Sequence, residues 1–140
     1  MTESDMKVIA ALYIKGDRLM PQDVSAALGI LPTTSQVRGE ARVTSSGTAF
    51  TIKTGLWAVV VERDSADVSA VIYELLEALG PQPGLATLPY VEEVYFDVFV
   101  AGVSDEDGDG TCSLELPVWQ VNALSTYGLP VRVTVAMGKP

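Results

Sequence analysis

Asp105, Asp107, Asp109 and Gly110 stand in D-x-D-x-D-G spacing, the first half of a calcium-binding loop. In such a loop alternate carboxylates converge on one cation, and the glycine takes the sharp turn. A complete loop places a glutamate at its twelfth position, whereas here that position is Leu116 and Glu115 falls one residue early. The flanking residues read as strands, so Ser104–Gly110 is expected to be an acidic hairpin tip with Thr111–Leu114 returning as a strand. Other chemistries are poorly supplied. The chain has no histidine, so neither a Ser-His-Asp nor a Cys-His apparatus can be assembled, nor a His-containing zinc site. Cys112 is the single cysteine; it cannot form an internal disulfide and reads as a small, partly buried apolar residue. Neither the phosphate-cradling G-x-x-x-x-G-K-[ST] pattern nor the dinucleotide G-x-G-x-x-G pattern occurs. No catalytic residue, metal ligand or cofactor is therefore assigned, and a non-enzymatic role is expected.

Charge is more informative than any motif. The 140 residues carry a formal net charge of −9. Residues 1–63 hold six acids against seven bases, while residues 64–140 hold twelve acids against only Arg132 and Lys139. No basic residue lies between Arg63 and Arg132. The acids of this stretch are Asp64, Asp67, Glu74 and Glu77, then Glu92, Glu93 and Asp97, then the tip residues Asp105, Glu106, Asp107 and Asp109, and Glu115. Such a field repels nucleic acid and anionic membrane but steers a basic protein into contact. A surface built only for solubility would intersperse both signs. Glu92, Glu93, Asp97, Asp105, Glu106, Asp107 and Asp109 are accordingly the expected partner-binding residues.

The elements that must position these groups follow from patterning. Lys7–Ile14 reads as a buried strand ending at Gly16. Pro21 opens a short helix that stops at Gly29, and Leu31–Ser35 reads as a loop. Arg38, Glu40 and Arg42 alternate with small residues, as in an exposed ribbon or loop, and Ala49–Lys53 is expected to be a short strand after the turn at residues 45–48. Leu56–Glu62 is a strong strand in which Trp57, with Val59 and Val61, reads as a core aromatic. Val68, Val71, Ile72, Leu75, Leu76 and Leu79 recur at helical spacing behind a cap at Asp64 or Ser65, and Gly80-Pro81 ends that helix. Residues 91–103 form a strand with Val94, Phe96, Val98 and Val100 on one face and Tyr95, Asp97 and Phe99 on the other. Pro117 opens a third helix with Val118, Val121 and Leu124 as its apolar positions, and Val131–Val135 closes the chain as a strand. The order βαββαββαβ implies one α+β domain over residues 1–140: a mainly antiparallel sheet with two to three helices packed on it. No leader or membrane span is evident, and a soluble, cytoplasmic protein is expected.

Tyr13-Ile14 before Gly16-Asp17, then Pro21, Leu28-Gly29-Ile30, Pro32-Thr33, Gly39 and Gly55-Leu56-Trp57 make up a further pattern. Together with Leu124 and Gly128-Leu129-Pro130, it resembles the bacterial domain-of-unknown-function family numbered 4279. The likeness covers nearly the whole chain and departs from the usual pattern at Pro117 and in the Pro81–Pro89 loop. The family has no established catalytic residues, so none are carried over. Small acidic bacterial domains of this kind also resemble the immunity proteins of toxin–immunity pairs, including contact-dependent growth-inhibition systems. The expected function is that of an immunity-type protein, which neutralises a basic, nuclease-like toxin domain through its acidic surface. The alternative is a ligand-binding or enzymatic domain that uses the Arg38–Glu40 loop and a cleft beside Trp57.

Overall fold

The computed structural model describes residues 6–103 and 112–138. The chain runs β1 (Lys7–Gly16), α1 (Pro21–Leu28), β2 (Thr34–Gln36), β3 (Ala41–Val43), β4 (Ala49–Thr51), β5 (Gly55–Arg63), α2 (Val68–Leu79), β6 (Glu93–Val103), α3 (Val118–Ser125) and β7 (Val131–Gly138). Five strands form one sheet in the order β2-β5-β1-β6-β7, and β3 and β4 form a separate hairpin. β1 lies in the middle, antiparallel to β5 on one side and to β6 on the other, while β7 joins β6 in parallel. The expected α+β class holds, with three α-helices among the described residues and a mainly antiparallel sheet.

The central strand explains the layering. Its even positions Val8, Ala10, Leu12 and Ile14 are buried beneath the helices, in one core with Trp57, Phe96, Val98, Val71, Ile72 and Leu75. Strand alternation turns its odd positions to the opposite face, which no helix among the described residues covers. The register sets Tyr13 opposite Tyr95 and Lys15 opposite Glu93, so the charged and phenolic groups of β1 and β6 meet there. The Asp67 carboxylate caps α2 by accepting from the Ala70 N–H at 3.0 Å, in place of the Asp64 or Ser65 cap that the sequence suggested. Ser65 instead accepts from the Asp67 N–H, a turn that fixes the cap.

Three expectations change and one holds. Thr34–Gln36, read as loop, is a short edge strand on β5, because the Thr33 N–H and hydroxyl bond to β5 and draw the chain alongside it. The exposed ribbon at Arg42 and the strand expected after the 45–48 turn are borne out as a hairpin, Ala41–Val43 pairing with Ala49–Thr51. The return strand expected over Thr111–Leu114 is absent from residues 112–114. The flank of β6 is taken instead by β7, which arrives through α3 in a parallel crossover, so β6 has no hairpin partner after it. In α3 the buried positions are Gln120 and Leu124, whereas Val118 and Val121 are exposed. The Gln120 amide donates to the Ser69 carbonyl at 2.9 Å and holds α3 against α2, a polar contact that an apolar-periodicity reading cannot anticipate.

Candidate functional site: the open face of the sheet

The uncovered face carries a cleft of about 730 Å³ between the ends of β1, β5 and β6. Tyr13, Lys15, Gln36, Thr54, Glu92 and Asp97 are among its lining residues, and Gly16 and Gly55 contribute backbone. Gly16 and Gly55 are directly paired across β1 and β5, which closes that end of the sheet with no side chain in the way.

Two tyrosines and two cations organise the cleft. The Tyr13 and Tyr95 rings lie 5.6 Å apart at a tilt of 41°. The Lys15 Nζ donates to the Tyr95 hydroxyl at 2.8 Å and stands 5.2 Å from the Tyr95 ring centre and 5.6 Å from that of Tyr13. Arg132, reaching over from β7, stacks its guanidinium 3.7 Å from the Tyr95 ring centre and pairs with Glu93. Such cation–π contacts are worth about 0.5–2 kcal/mol each, more as water is excluded. The Glu92 carboxylate accepts from the Asp17 N–H at 3.0 Å and ties the β6 approach to the turn after β1.

Burial, and after it the charge of Asp97 and the neighbouring Tyr95, push the Tyr13 phenol above its ordinary value against the opposing pull of Lys15. The folded state therefore holds that proton more tightly than the unfolded chain does. The associated stability is fully present below the unfolded value, near pH 10, and is lost as pH rises through the folded one. Tyr127, also raised by burial, acts in the same direction. Denaturant midpoints should fall as pH rises above about 10, and Tyr13→Phe should make that fall shallower. An unchanged slope in the variant would assign the alkaline loss elsewhere.

Three of the acids expected to bind a partner come together here: Glu92, Glu93 and Asp97 all line the cleft. Asp105, Glu106, Asp107 and Asp109, with the calcium-like spacing, lie outside the described residues. The acids of α2 do not join the group. Asp67 is spent as a helix cap, Glu74 pairs with Arg63 at 3.0 Å, and Glu77 raises the pKa of the Tyr73 phenol, all on the helical side. The described acids of this half are thus divided between two faces.

The location expected for a ligand cleft is also corrected. Trp57 is fully buried under α1 on the opposite face, and its indole N–H donates to the Ser25 hydroxyl at 3.0 Å. Arg38 pairs with Asp17 at 3.7 Å, and Glu40 with Arg42 at 2.7 Å. The Arg42 hydrogen bond, followed by the Val37 N–H, lowers the Glu40 carboxyl below its usual range. Those groups satisfy one another at the base of the hairpin. Tyr13, Lys15, Tyr95 and Arg132 were not expected from sequence to be site residues. The signal that could have found them is parity: Tyr13 and Lys15 share one face of β1, and Tyr95 and Asp97 share one face of β6.

No helix among the described residues is long and apolar enough to cross a membrane. Neither the curated proteins nor the solved structures gave a match to the chain. A family model does match, described as a domain of unknown function (DUF4279), and it spans residues 6–138, from the start of β1 to the end of β7. With the match covering the whole sheet and all three helices, the chain belongs to the DUF4279 family.

Proposed function

We propose that the chain is a binding protein of the immunity type, which neutralises a basic, nuclease-like toxin domain by covering it with an acidic surface. The observation that carries this reading is how the cations are used. Lys7, Arg38, Arg42, Arg63 and Arg132 are each held in an ion pair within the chain. Lys15 is held between two tyrosines, and Arg18 stacks on the Tyr90 ring at 4.9 Å. With these seven of the nine bases committed locally, the excess of carboxylates remains to meet a cationic partner. Glu92 and Asp97 stand on the uncovered sheet face with Glu93, which is paired with Arg132, beside tyrosines of the kind that anchor protein interfaces. A cytoplasmic site of action belongs to the same proposal.

The test is association with a basic, nuclease-type toxin domain used as the probe. Glu92→Gln, Glu93→Gln and Asp97→Asn together should slow association at low salt by about tenfold or more and flatten its salt dependence. The same measurement with Asp105, Asp107 and Asp109 neutralised apportions the effect between the cleft and the tip. Unchanged association in both variants would reject the acidic-surface reading.

A second reading draws on the cleft itself. Its volume is in the range of small-molecule sites, and its phenols, lysine, amides and carboxylates suit a small polar ligand. A ligand of this kind would stabilise the folded chain in proportion to its occupancy. A thermal-shift screen of polar metabolites against the native chain and Lys15→Met separates the readings. Stabilisation lost in the variant favours the ligand, and no stabilisation with any metabolite removes this reading.

A further inference from the structure

The two edges of the sheet are built differently. At one edge β2 is only three residues long and is followed by the β3–β4 hairpin. At the other, β7 runs for eight residues, and its Val131, Val133 and Val135 remain 40%, 51% and 44% exposed. Natural proteins protect such an edge with brevity, proline, bulges or charge. β7 has none of these in force. It contains no proline, and Arg132, its single charged residue, is committed to Glu93 and the Tyr95 ring.

Backbone phasing defines what the edge offers. The Phe96 N–H donates to the Pro130 carbonyl at 2.9 Å. In a parallel ladder this alternation turns the backbone groups of Arg132, Thr134 and Ala136 toward β6, and those of Val131, Val133, Val135 and Met137 outward. Among the described residues, no hydrogen bond reaches those outward groups.

We propose that this edge pairs with a second copy of the chain, β7 against β7 and antiparallel, making a continuous ten-stranded sheet across a two-fold axis at Thr134. The strand is self-complementary in that one register. Val133 faces the partner's Val135 and Val131 faces the partner's Met137, so all four outward-turned residues meet outward-turned residues. The valines share the face of Phe96, Val98 and Val100, so the pairing extends the core layer of each copy into the other. On the opposite face Thr134 meets the partner's Thr134, a favourable cross-strand pair. Arg132 falls opposite the partner's Ala136, which avoids a like-charge contact. The surface is isologous, as a two-fold dimer requires. This inference is independent of the toxin-binding proposal.

The experiment combines mass and crosslinking. Sedimentation of the native chain at about 100 µM should give twice the 14.9 kDa chain mass. Val133→Lys, at a half-exposed position that leaves the monomer core intact, should weaken dimerisation at least tenfold. In a Cys112→Ser background, Thr134→Cys should form an intermolecular disulfide under mild oxidation, because non-hydrogen-bonded antiparallel pairs bring their Cα atoms within disulfide range. Ala101→Cys, on the same face of β6, should not. A native chain that is monomeric at that concentration overturns the proposal, even if Thr134→Cys crosslinks slowly. A dimer that survives Val133→Lys or fails to crosslink through Thr134→Cys also overturns it, because the contact then lies elsewhere.

Discussion

Trp57→Ala is expected to destabilise the chain by about 3–5 kcal/mol, as large aromatic deletions in packed cores do. The residue is fully buried beneath α1, in one core with Leu12, Ile14, Val24 and Leu28. Its removal opens a void that the sheet and the short α1 can fill only in part, because both surfaces are held by backbone ladders. It also leaves the Ser25 hydroxyl without the indole N–H that now meets it at 3.0 Å. Trp57→Phe should cost less, since most of the ring volume stays and the lost hydrogen bond is worth about 1 kcal/mol. Urea unfolding followed by far-ultraviolet circular dichroism measures both. A loss under about 1 kcal/mol for the alanine variant would contradict a packed core site. The order of the two variants separates packing from the hydrogen bond.

Gly16→Ala is expected to cost about 3 kcal/mol, at the upper end for overpacking, because the clash is with backbone and has no rotamer to escape into. A Cβ built on Gly16 would fall 2.0 Å from the Tyr90 carbonyl oxygen and 3.2 Å from its carbon. That close approach lets the Glu92 N–H donate to the Lys15 carbonyl at 2.9 Å and seats the segment before β6 against the end of β1. Tyr90 itself is held at a φ of 64°, a left-handed conformation that a tyrosine adopts only when its surroundings impose it. Displacing this segment moves Glu92 away from the Asp17 N–H and reshapes the cleft. The variant should therefore lose stability and also change the environment of Tyr13 and Tyr95, which tyrosine resonances report. Near-native stability would show that Tyr90 can withdraw without cost. Gly55→Ala makes an internal comparison, since its Cβ would stand 2.6 Å from the Gly16 carbonyl oxygen.

Elements whose stability is local were legible in the sequence. β1 and β5 declare themselves by runs of apolar and β-branched residues, and α2 by six apolar positions at helical spacing. α1 is bounded by Pro21 and Gly29, and Gly29 takes the left-handed φ of 73° that stops it. Elements set by partners were not legible. Thr34–Gln36 is a strand only because β5 offers it an edge, and Cys112–Leu114 is not a strand because β7 has taken the side of β6 where a hairpin would return. α3 was placed correctly, but its buried side turns on Gln120 and the Ser69 carbonyl, a bond made across 51 residues of sequence.

The candidate site divides the same way. The sequence alone determined the surplus of acid after Arg63, the lack of histidine chemistry and the family pattern, because each is a property of composition or of local punctuation. It also determined that Tyr95 and Asp97 share a face, since strand alternation is a local rule. Only the tertiary structure decided that Glu92, Glu93 and Asp97 would stand beside Tyr13 and Lys15, while the acids of α2 went to the other side. That outcome depends on the register of β6 against β1, in which a slip of one residue would turn Tyr95 and Asp97 into the core. The same tertiary choice placed β7 at the rim with Arg132 reaching back over Tyr95, a contact between residues 37 positions apart that no local pattern encodes.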